Sequence, residues 1–407
     1  MCPEFHFFCK NTIFVMFMKK ITLAFVIMAF SFSAAAQELD WNVHFDYLLS
    51  NYEYDRSNNI YDESYTLHAA RLSPELGFLV HQGKSVTHKI RTGIDLFKEM
   101  GVQSSLADVP GEVLLYYNLE ALLDNGGRLE AVAGIFPRYY LEGVYIGPFF
   151  DDDLIFYDNN MEGFLVKYRN KRLYCEFGLD WMGKLGTETE PLRRERFQAL
   201  CTGLWNFAGD FNLGWAGSFY HFATSPTLPE VVDNHMFNPW VEWNPHGYFD
   251  ELKLGAGVLL TYQCDRIDNM NLKTPMGFYS QQLIGKWHVF LDNHFYYGDD
   301  LMPFFSTSHY GAPYGEELYR GDLGFHTLRD HPSWADYCTL RYEPRLTKWL
   351  NLELYLTFHF GEPSDKLGCP VFRGWQQAIA LHFNLDEIRD EYRKQKPERQ
   401  YRYGIDL

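Results

Sequence analysis

The chain has 407 residues, of which 18% are aromatic and 22% charged, and its mean hydropathy of -0.29 is that of a polar chain. A formal net charge of -17 argues against nucleic-acid binding, because contact with phosphates needs a basic surface. Five of the seven cysteines lie beyond the N-terminal leader, and no pair has the spacing of a zinc or redox site. We therefore expect no metal and no cofactor.

The N-terminus has the pattern of a secretory signal. Met18–Lys20 forms a short basic region, Ile21–Phe30 an apolar core, and Ala34–Ala36 a cleavage site of small residues. We predict that residues 1–36 are a leader and cleaved signal peptide, with Met18 as the true initiator and Gln37 as the mature N-terminus. An uncleaved anchor is the alternative, but the apolar core is short for a membrane span. N-terminal sequencing that found Lys19 retained would rule out cleavage.

The mature chain alternates apolar and polar residues nearly everywhere. Within Trp349–Phe360, six leucines or phenylalanines on even positions alternate with Asn351, Glu353, Thr357 and other polar residues. Successive side chains of a strand point to opposite faces, so each segment has one apolar and one polar face.

The connections between these segments alternate strictly between very short turns and long polar loops. That order is typical of a transmembrane barrel with short periplasmic turns and long outer loops. We predict a closed antiparallel all-β barrel over residues 37–386, with about sixteen strands (range 14 to 18), followed by a charged periplasmic tail, 387–407. A soluble β-sandwich or propeller does not explain the alternation, and the aromatics near the short turns fit an interfacial girdle. The location implied is the outer membrane of a Gram-negative bacterium.

Three short motifs carry a family resemblance: Gly134–Arg138 (GIFPR), Tyr157–Gly163 (YDNNMEG) and Leu318–Asp322 (LYRGD). Together with the signal and the hairpins, they resemble the porin superfamily, and more narrowly porin-like barrels of the Bacteroidetes. The resemblance implies a fold and a location, and supplies no substrate.

The polar face is predicted to line a water-filled lumen, which sixteen strands leave room for. Its charges are of both signs. The basic positions are Arg71, Lys89, Arg91, Arg128, Arg138, Arg341 and Arg345. The acidic positions are Glu75, Asp95, Glu130, Glu176, Asp180, Glu343 and Glu353. Because the first and last strands of a closed barrel are neighbours, the early and late basic residues are expected to share one wall.

Two outer loops are candidates for shaping the pore. The third, Tyr139–Asn160, is a candidate constriction loop with acidic residues that could face the basic wall: Glu142, Asp151, Asp152, Asp153 and Asp158. A solvated surface loop and a calcium site are alternative interpretations of these acids. The seventh, Asp299–Ser333, holds aromatics that are candidates for a lid or a sugar-stacking surface in the mouth, with plain packing against the rim as the alternative: Phe304, Phe305, Tyr310, Tyr314 and Tyr319.

The sequence contains no Gly-x-Ser-x-Gly, His-Glu-x-x-His or phosphate-loop motif. The leading hypothesis is a non-enzymatic channel for passive diffusion of small hydrophilic solutes. A closed barrel serving as an adhesin, or as partner of a surface lipoprotein, is one alternative. An outer-membrane lipid hydrolase is another, and it predicts a serine and a histidine on the lipid-facing wall. Expected partners are outer-membrane lipids and small solutes, with no nucleic acid, and a homo-oligomer or surface lipoprotein remains open.

Overall fold

The computed structural model describes residues 37–54, 64–101, 111–151, 156–267, 270–307, 313–344, 346–347, 349–364, 368 and 370–385. The predicted signal peptide and charged tail lie outside these residues, so both remain predictions.

The described chain is mostly strand. The strands are β1 (Gln37–Tyr54), β2 (Tyr65–Gln82), β3 (Val86–Glu99), β4 (Gly111–Leu122), β5 (Arg128–Pro137), β6 (Asn160–Arg169), β7 (Leu173–Gly183), β8 (Arg196–Ala208), β9 (Phe211–Phe222), β10 (Val232–Trp243), β11 (Glu251–Asp265), β12 (Asn271–Lys273), β13 (Met276–Lys286), β14 (Val289–Gly298), β15 (Ser333–Tyr342), β16 (Leu350–Gly361) and β17 (Phe372–Asn384). The described residues also include the helix α1 (Gly315–Leu318) and the 3-10 turns Arg138–Tyr140 and Leu323–Phe325.

These strands form one closed antiparallel barrel of sixteen strands, in which β12 and β13 together count as one. Each strand pairs with its sequence neighbours, and β1 closes the ring by pairing with β17 from His44↔Asn384 to Tyr54↔Gly374. β12 and β13 pair with β11 in the same register, so they form one barrel strand. This strand is interrupted at Pro275, which lacks the N–H that a ladder needs. The predicted barrel and its strand number are confirmed.

The two faces of the wall differ as the alternation predicts. In β4, Val113 and Leu115 are 60% and 57% exposed, whereas the alternate residues Leu114 and Tyr116 are buried. In a sheet closed on itself, the exposed apolar face is the one that contacts lipid. Among the described residues, no helix is both long and apolar enough to cross a membrane.

The short turns lie at one end of the barrel and the long loops at the other, so the loop end is the outer, cell-surface end. The strand arrangement and its apolar belt place the protein in the outer membrane of a Gram-negative bacterium.

The described parts of the third outer loop (138–151 and 156–159) and of the seventh outer loop (299–307 and 313–332) fold into the barrel. Ile146 and Phe149 of the third loop and Phe304, Leu318 and Phe325 of the seventh are at most 2% exposed. They belong to one apolar cluster with wall residues of β4 to β15. The interior is therefore partly filled by an apolar core, and the predicted open, water-filled lumen is reduced to the space beside this core.

Candidate functional site

A cavity of about 1050 Å³ lies between the described parts of the two infolded loops and the wall. Its wall side is built mainly from β14 to β17 and β1. It extends from Tyr54 and Glu316 at the outer mouth to Glu353, the fourth residue of β16 from the periplasmic end.

The early basic residues of the predicted pore wall are buried in ion pairs. Arg71 Nη1 lies 2.5 Å from Asp95, and Arg91 Nε lies 2.6 Å from Asp40. Arg71 also donates to the backbone carbonyl of Phe156 in the third outer loop, at 2.5 Å. These cations neutralise neighbouring carboxylates and hold a loop.

Other predicted lining residues also pair along the wall. Lys89 and Arg128 both lie 2.7 Å from Glu120. Lys167, a residue that the sequence did not single out, lies 2.9 Å from Glu130. Of the predicted late basic residues, Arg341 lines the cavity and lies 2.5 Å from Glu343, whereas Arg345 falls outside the described residues.

The predicted acidic positions divide between wall pairs, loop anchors and the cavity. Glu75 lies 3.9 Å from Arg91, and Asp180 lies 2.9 Å from the buried Arg138. Glu176 accepts hydrogen bonds from the backbone of the third outer loop, and Glu353 lines the cavity.

Three acids of the predicted constriction loop are described. Glu142 lies 2.5 Å from Lys167 and 2.6 Å from Arg169. Asp158 lies 2.8 Å from Arg320 of the seventh outer loop, and Asp151 lines the cavity. Asp152 and Asp153 lie outside the described residues. In the described part of the chain, no cluster of three metal-ligating side chains occurs.

The candidate lid aromatics mostly face the apolar core. Phe304, Tyr314 and Tyr319 are buried, and the Tyr319 hydroxyl donates to Gln263 Oε1 at 2.6 Å. Phe305 and Tyr319 line the cavity, whereas Tyr310 falls outside the described residues. These rings anchor the seventh outer loop to the wall.

The lipid-facing wall carries a polar cluster that the sequence analysis missed. His221 near the outer end of β9 and Asp233 near the outer end of β10 are directly paired across the ladder, and His221 Nδ1 lies 2.7 Å from Asp233 Oδ1. Arg266, just after β11, contacts the other oxygen, with Nη2 2.5 Å from Asp233 Oδ2. The Arg266 side chain is 49% exposed.

This cluster faces outward by strand parity. His221 shares its face with the exposed Phe211, and Asp233 shares its face with the exposed Trp243. Aromatic rings surround it: Phe197 lies 5.0 Å from the His221 ring, and Trp181 stacks on Phe197. The dyad thus lies on the outer wall, near the loop end of β9 and β10.

A signal for this dyad exists in the sequence. His221 and Asp233 occupy apolar-face positions of the two strands that flank the fifth outer loop, and His235 is a further polar residue on the same face of β10. A serine on this face does not accompany them among the described residues of β8 to β11.

A second histidine–carboxylate pair lies inside the barrel. His382 Nδ1 lies 2.8 Å from Asp46 Oδ1 across the β17–β1 seam, and both residues line the cavity. The barrel wall separates this pair from the bilayer. The two pairs therefore have the same imidazole and carboxylate groups, but one faces lipid and the other faces the cavity.

The sequence matches one protein-family profile, described as lipid A 3'-O-deacylase-type, over residues 32–322. The chain belongs to this family. The match includes β1 to β14 and the exterior dyad. It overturns the expectation that the protein is not an enzyme, since the family is named for an ester hydrolase. That expectation rested on missing sequence motifs, and a dyad formed across two strands has none.

No curated protein matches the chain. Among solved structures, an OmpT of Vibrio cholerae lacking loop L8 is similar with 12% identity and a TM-score of 0.48, covering 86% of this chain and 99% of that one. An anion-selective porin from Comamonas acidovorans is similar with 11% identity and a TM-score of 0.46, covering 86% and 99%. Neither comparison tests the resemblance to barrels of the Bacteroidetes.

Proposed function

We propose that this protein is an outer-membrane lipid hydrolase that removes an ester-linked acyl chain from lipid A in the outer leaflet. The observation that carries the proposal is the His221–Asp233 dyad on the lipid-facing wall, within the family match. An ester hydrolase needs a base within reach of its substrate, and an outward dyad at the headgroup level meets that condition without admitting lipid to the lumen.

The dyad supplies a general base. Asp233 accepts a hydrogen bond from His221 Nδ1, which assigns the proton to Nδ1 and leaves Nε2 to take one. Nε2 removes a proton from water as the water oxygen attacks the ester carbonyl. The tetrahedral intermediate then expels the sugar oxygen, which takes the proton from Nε2, and the products are a fatty acid and a free hydroxyl.

Arg266 has two roles in this proposal. It holds the second oxygen of Asp233 and thereby fixes the carboxylate that orients the imidazole. Its half-exposed guanidinium also offers donors to a phosphate of a neighbouring lipid, because arginine binds phosphate through paired N–H groups. The surrounding rings of Phe197 and Trp181 suit the boundary between headgroups and acyl chains.

The test is the composition of lipid A from a Gram-negative host that expresses the full chain. Mass spectrometry should show loss of one ester-linked acyl chain. His221→Gln and Asp233→Asn should each slow this loss by about 10²–10⁴-fold, the usual contribution of a general base.

The matched control is His382→Gln, which removes the interior histidine of the same kind of pair. This variant should deacylate like the parent protein. Loss of activity in His382→Gln with activity retained in His221→Gln would move the active site into the lumen. Unmodified lipid A in cells with a correctly inserted parent protein would contradict the proposed hydrolase.

A second candidate function is the passage of small hydrophilic solutes, which the cavity beside the infolded loops favours. Because the loops fill part of the barrel, we expect a small single-channel conductance in planar bilayers. Among the described residues that line the cavity, seven carboxylates exceed four arginines, so the reversal potential in a salt gradient should indicate preference for cations. An insulating or anion-selective barrel would contradict this candidate.

A further inference from the structure

The interior cavity contains a continuous line of aromatic rings. Tyr65 stacks on Tyr52 with 4.5 Å between ring centroids, and Tyr54 lies 5.8 Å from Tyr52. His359 lies 5.4 Å from Tyr54, and Tyr337 lies 4.5 Å from His359. We call these five residues the aromatic track. It runs along β1, β2, β15 and β16 from the outer mouth inward, and all five line the cavity.

Hydrogen-bonding groups accompany the aromatic track. Gln376 donates to the Tyr52 hydroxyl at 2.6 Å, and the hydroxyls of Thr339 and Thr357 lie 2.9 Å apart further in. His359 Nε2 is buried and has no hydrogen-bond partner among the described residues, with 6% of the residue exposed. Since a buried polar group is costly when left unpaired, this nitrogen indicates a place for a ligand hydroxyl.

The charge of the lining restricts the ligand. Among the described lining residues, seven carboxylates face four arginines. Three of these arginines are already paired: Arg138 with Asp180, Arg320 with Asp158, and Arg341 with Glu343. The negative potential of the lining would therefore repel an anionic ligand.

We propose that this cavity is a binding site for neutral or amino-substituted oligosaccharides. Aromatic faces accept the C–H faces of pyranose rings, and the amides, hydroxyls and carboxylates beside them accept or donate hydrogen bonds to sugar hydroxyls. A volume of about 1050 Å³ lies at the upper end of small-molecule pockets and fits several linked rings.

This site is independent of the proposed lipid hydrolysis. The aromatic track lies on the inner face of β1, β2, β15 and β16, whereas the dyad lies on the outer face of β9 and β10. Loss of saccharide binding and loss of deacylation can therefore be observed separately.

The test measures saturation transfer by NMR from the purified, folded full-length protein in detergent to three probes: maltotriose, a glucosamine trisaccharide and a galacturonic acid trisaccharide. We expect the neutral and amino sugars to bind, and the acidic one to bind at least about tenfold more weakly. Tyr54→Leu and Tyr65→Leu should each weaken binding about fivefold, as loss of one aromatic face implies.

The matched control is Tyr297→Leu, which removes a tyrosine that is 51% exposed on the lipid-facing side of β14. It should bind the probes like the parent, and heat-dependent electrophoretic mobility should show every variant folded. Absence of transfer to both the neutral and the amino trisaccharide at about 10 mM would overturn the proposal. So would tighter binding of the acidic probe, or equal weakening by Tyr297→Leu and Tyr54→Leu.

Discussion

Close approach of the third outer loop to the wall depends on single glycines. A Cβ at Gly143 would lie 1.7 Å from Thr202 Cγ2 on β8, and 2.8 Å from Glu176 Oε1. The Gly143 backbone N–H donates to that same carboxylate at 3.0 Å. Only a residue without a side chain brings the loop backbone within hydrogen-bond distance of the wall here.

Gly143→Ala should therefore displace the loop and destabilise the folded barrel by about 1–3 kcal/mol, the usual cost of overpacking. Gly247 is the control, because no atom lies within 4 Å of the Cβ that an alanine would add there. Urea unfolding in lipid vesicles measures both variants. Equal midpoints for the two would show that the loop has room to move away from Thr202.

Ion pairs hold the third outer loop against the barrel wall. Glu142 sits between Lys167 and Arg169, and Glu176 accepts from the Glu142 backbone and from the Tyr145 hydroxyl. Burial raises the pKa of the Glu142 carboxyl, but the two cations outweigh it and hold that pKa below its ordinary value of 4.5. The ionised carboxylate thus belongs to the docked loop.

A carboxyl with a lowered pKa in the docked state stabilises that state above its ordinary pKa and loses this stabilisation as the pH falls through the lowered value. Hydrogen exchange of residues 141–150, corrected for intrinsic rates, should therefore show protection that declines below about pH 4.5. In Glu142→Gln the decline over this range should be smaller. An unchanged pH profile in that variant would assign the effect to other carboxyls.

The whole molecule has three environments: lipid outside, an apolar core where the loops fold in, and a polar cavity beside it. Leu354 of β16 is 36% exposed on the lipid side, and its neighbour Glu353 lines the cavity. One strand therefore borders two of these environments at adjacent residues.

Leu354→Arg should destabilise the barrel by about 2–4 kcal/mol if the position lies near the bilayer midplane, because a cation must enter the hydrocarbon. Glu353→Gln should change the free energy of unfolding little, since its side chain meets a polar cavity. Refolding into lipid vesicles at graded urea concentrations measures both. Equal sensitivity at the two positions would indicate an apolar environment on both faces.

The sequence by itself determined the barrel, its sixteen strands and which face of each strand contacts lipid. These features follow from local alternation of apolar and polar residues and from the order of short turns and long loops. The long loops obey no such period. Only the tertiary structure decided that the third and seventh loops fill the interior, since Phe149 and Phe325 meet there from distant parts of the chain. It also decided the partners of each charge: Arg71 and Arg91 follow the polar-face pattern, but the ladder register pairs them with Asp95 and Asp40. The dyad of His221 and Asp233 needed the same register, because two polar residues on an apolar face acquire a chemical role only when adjacent strands bring them together.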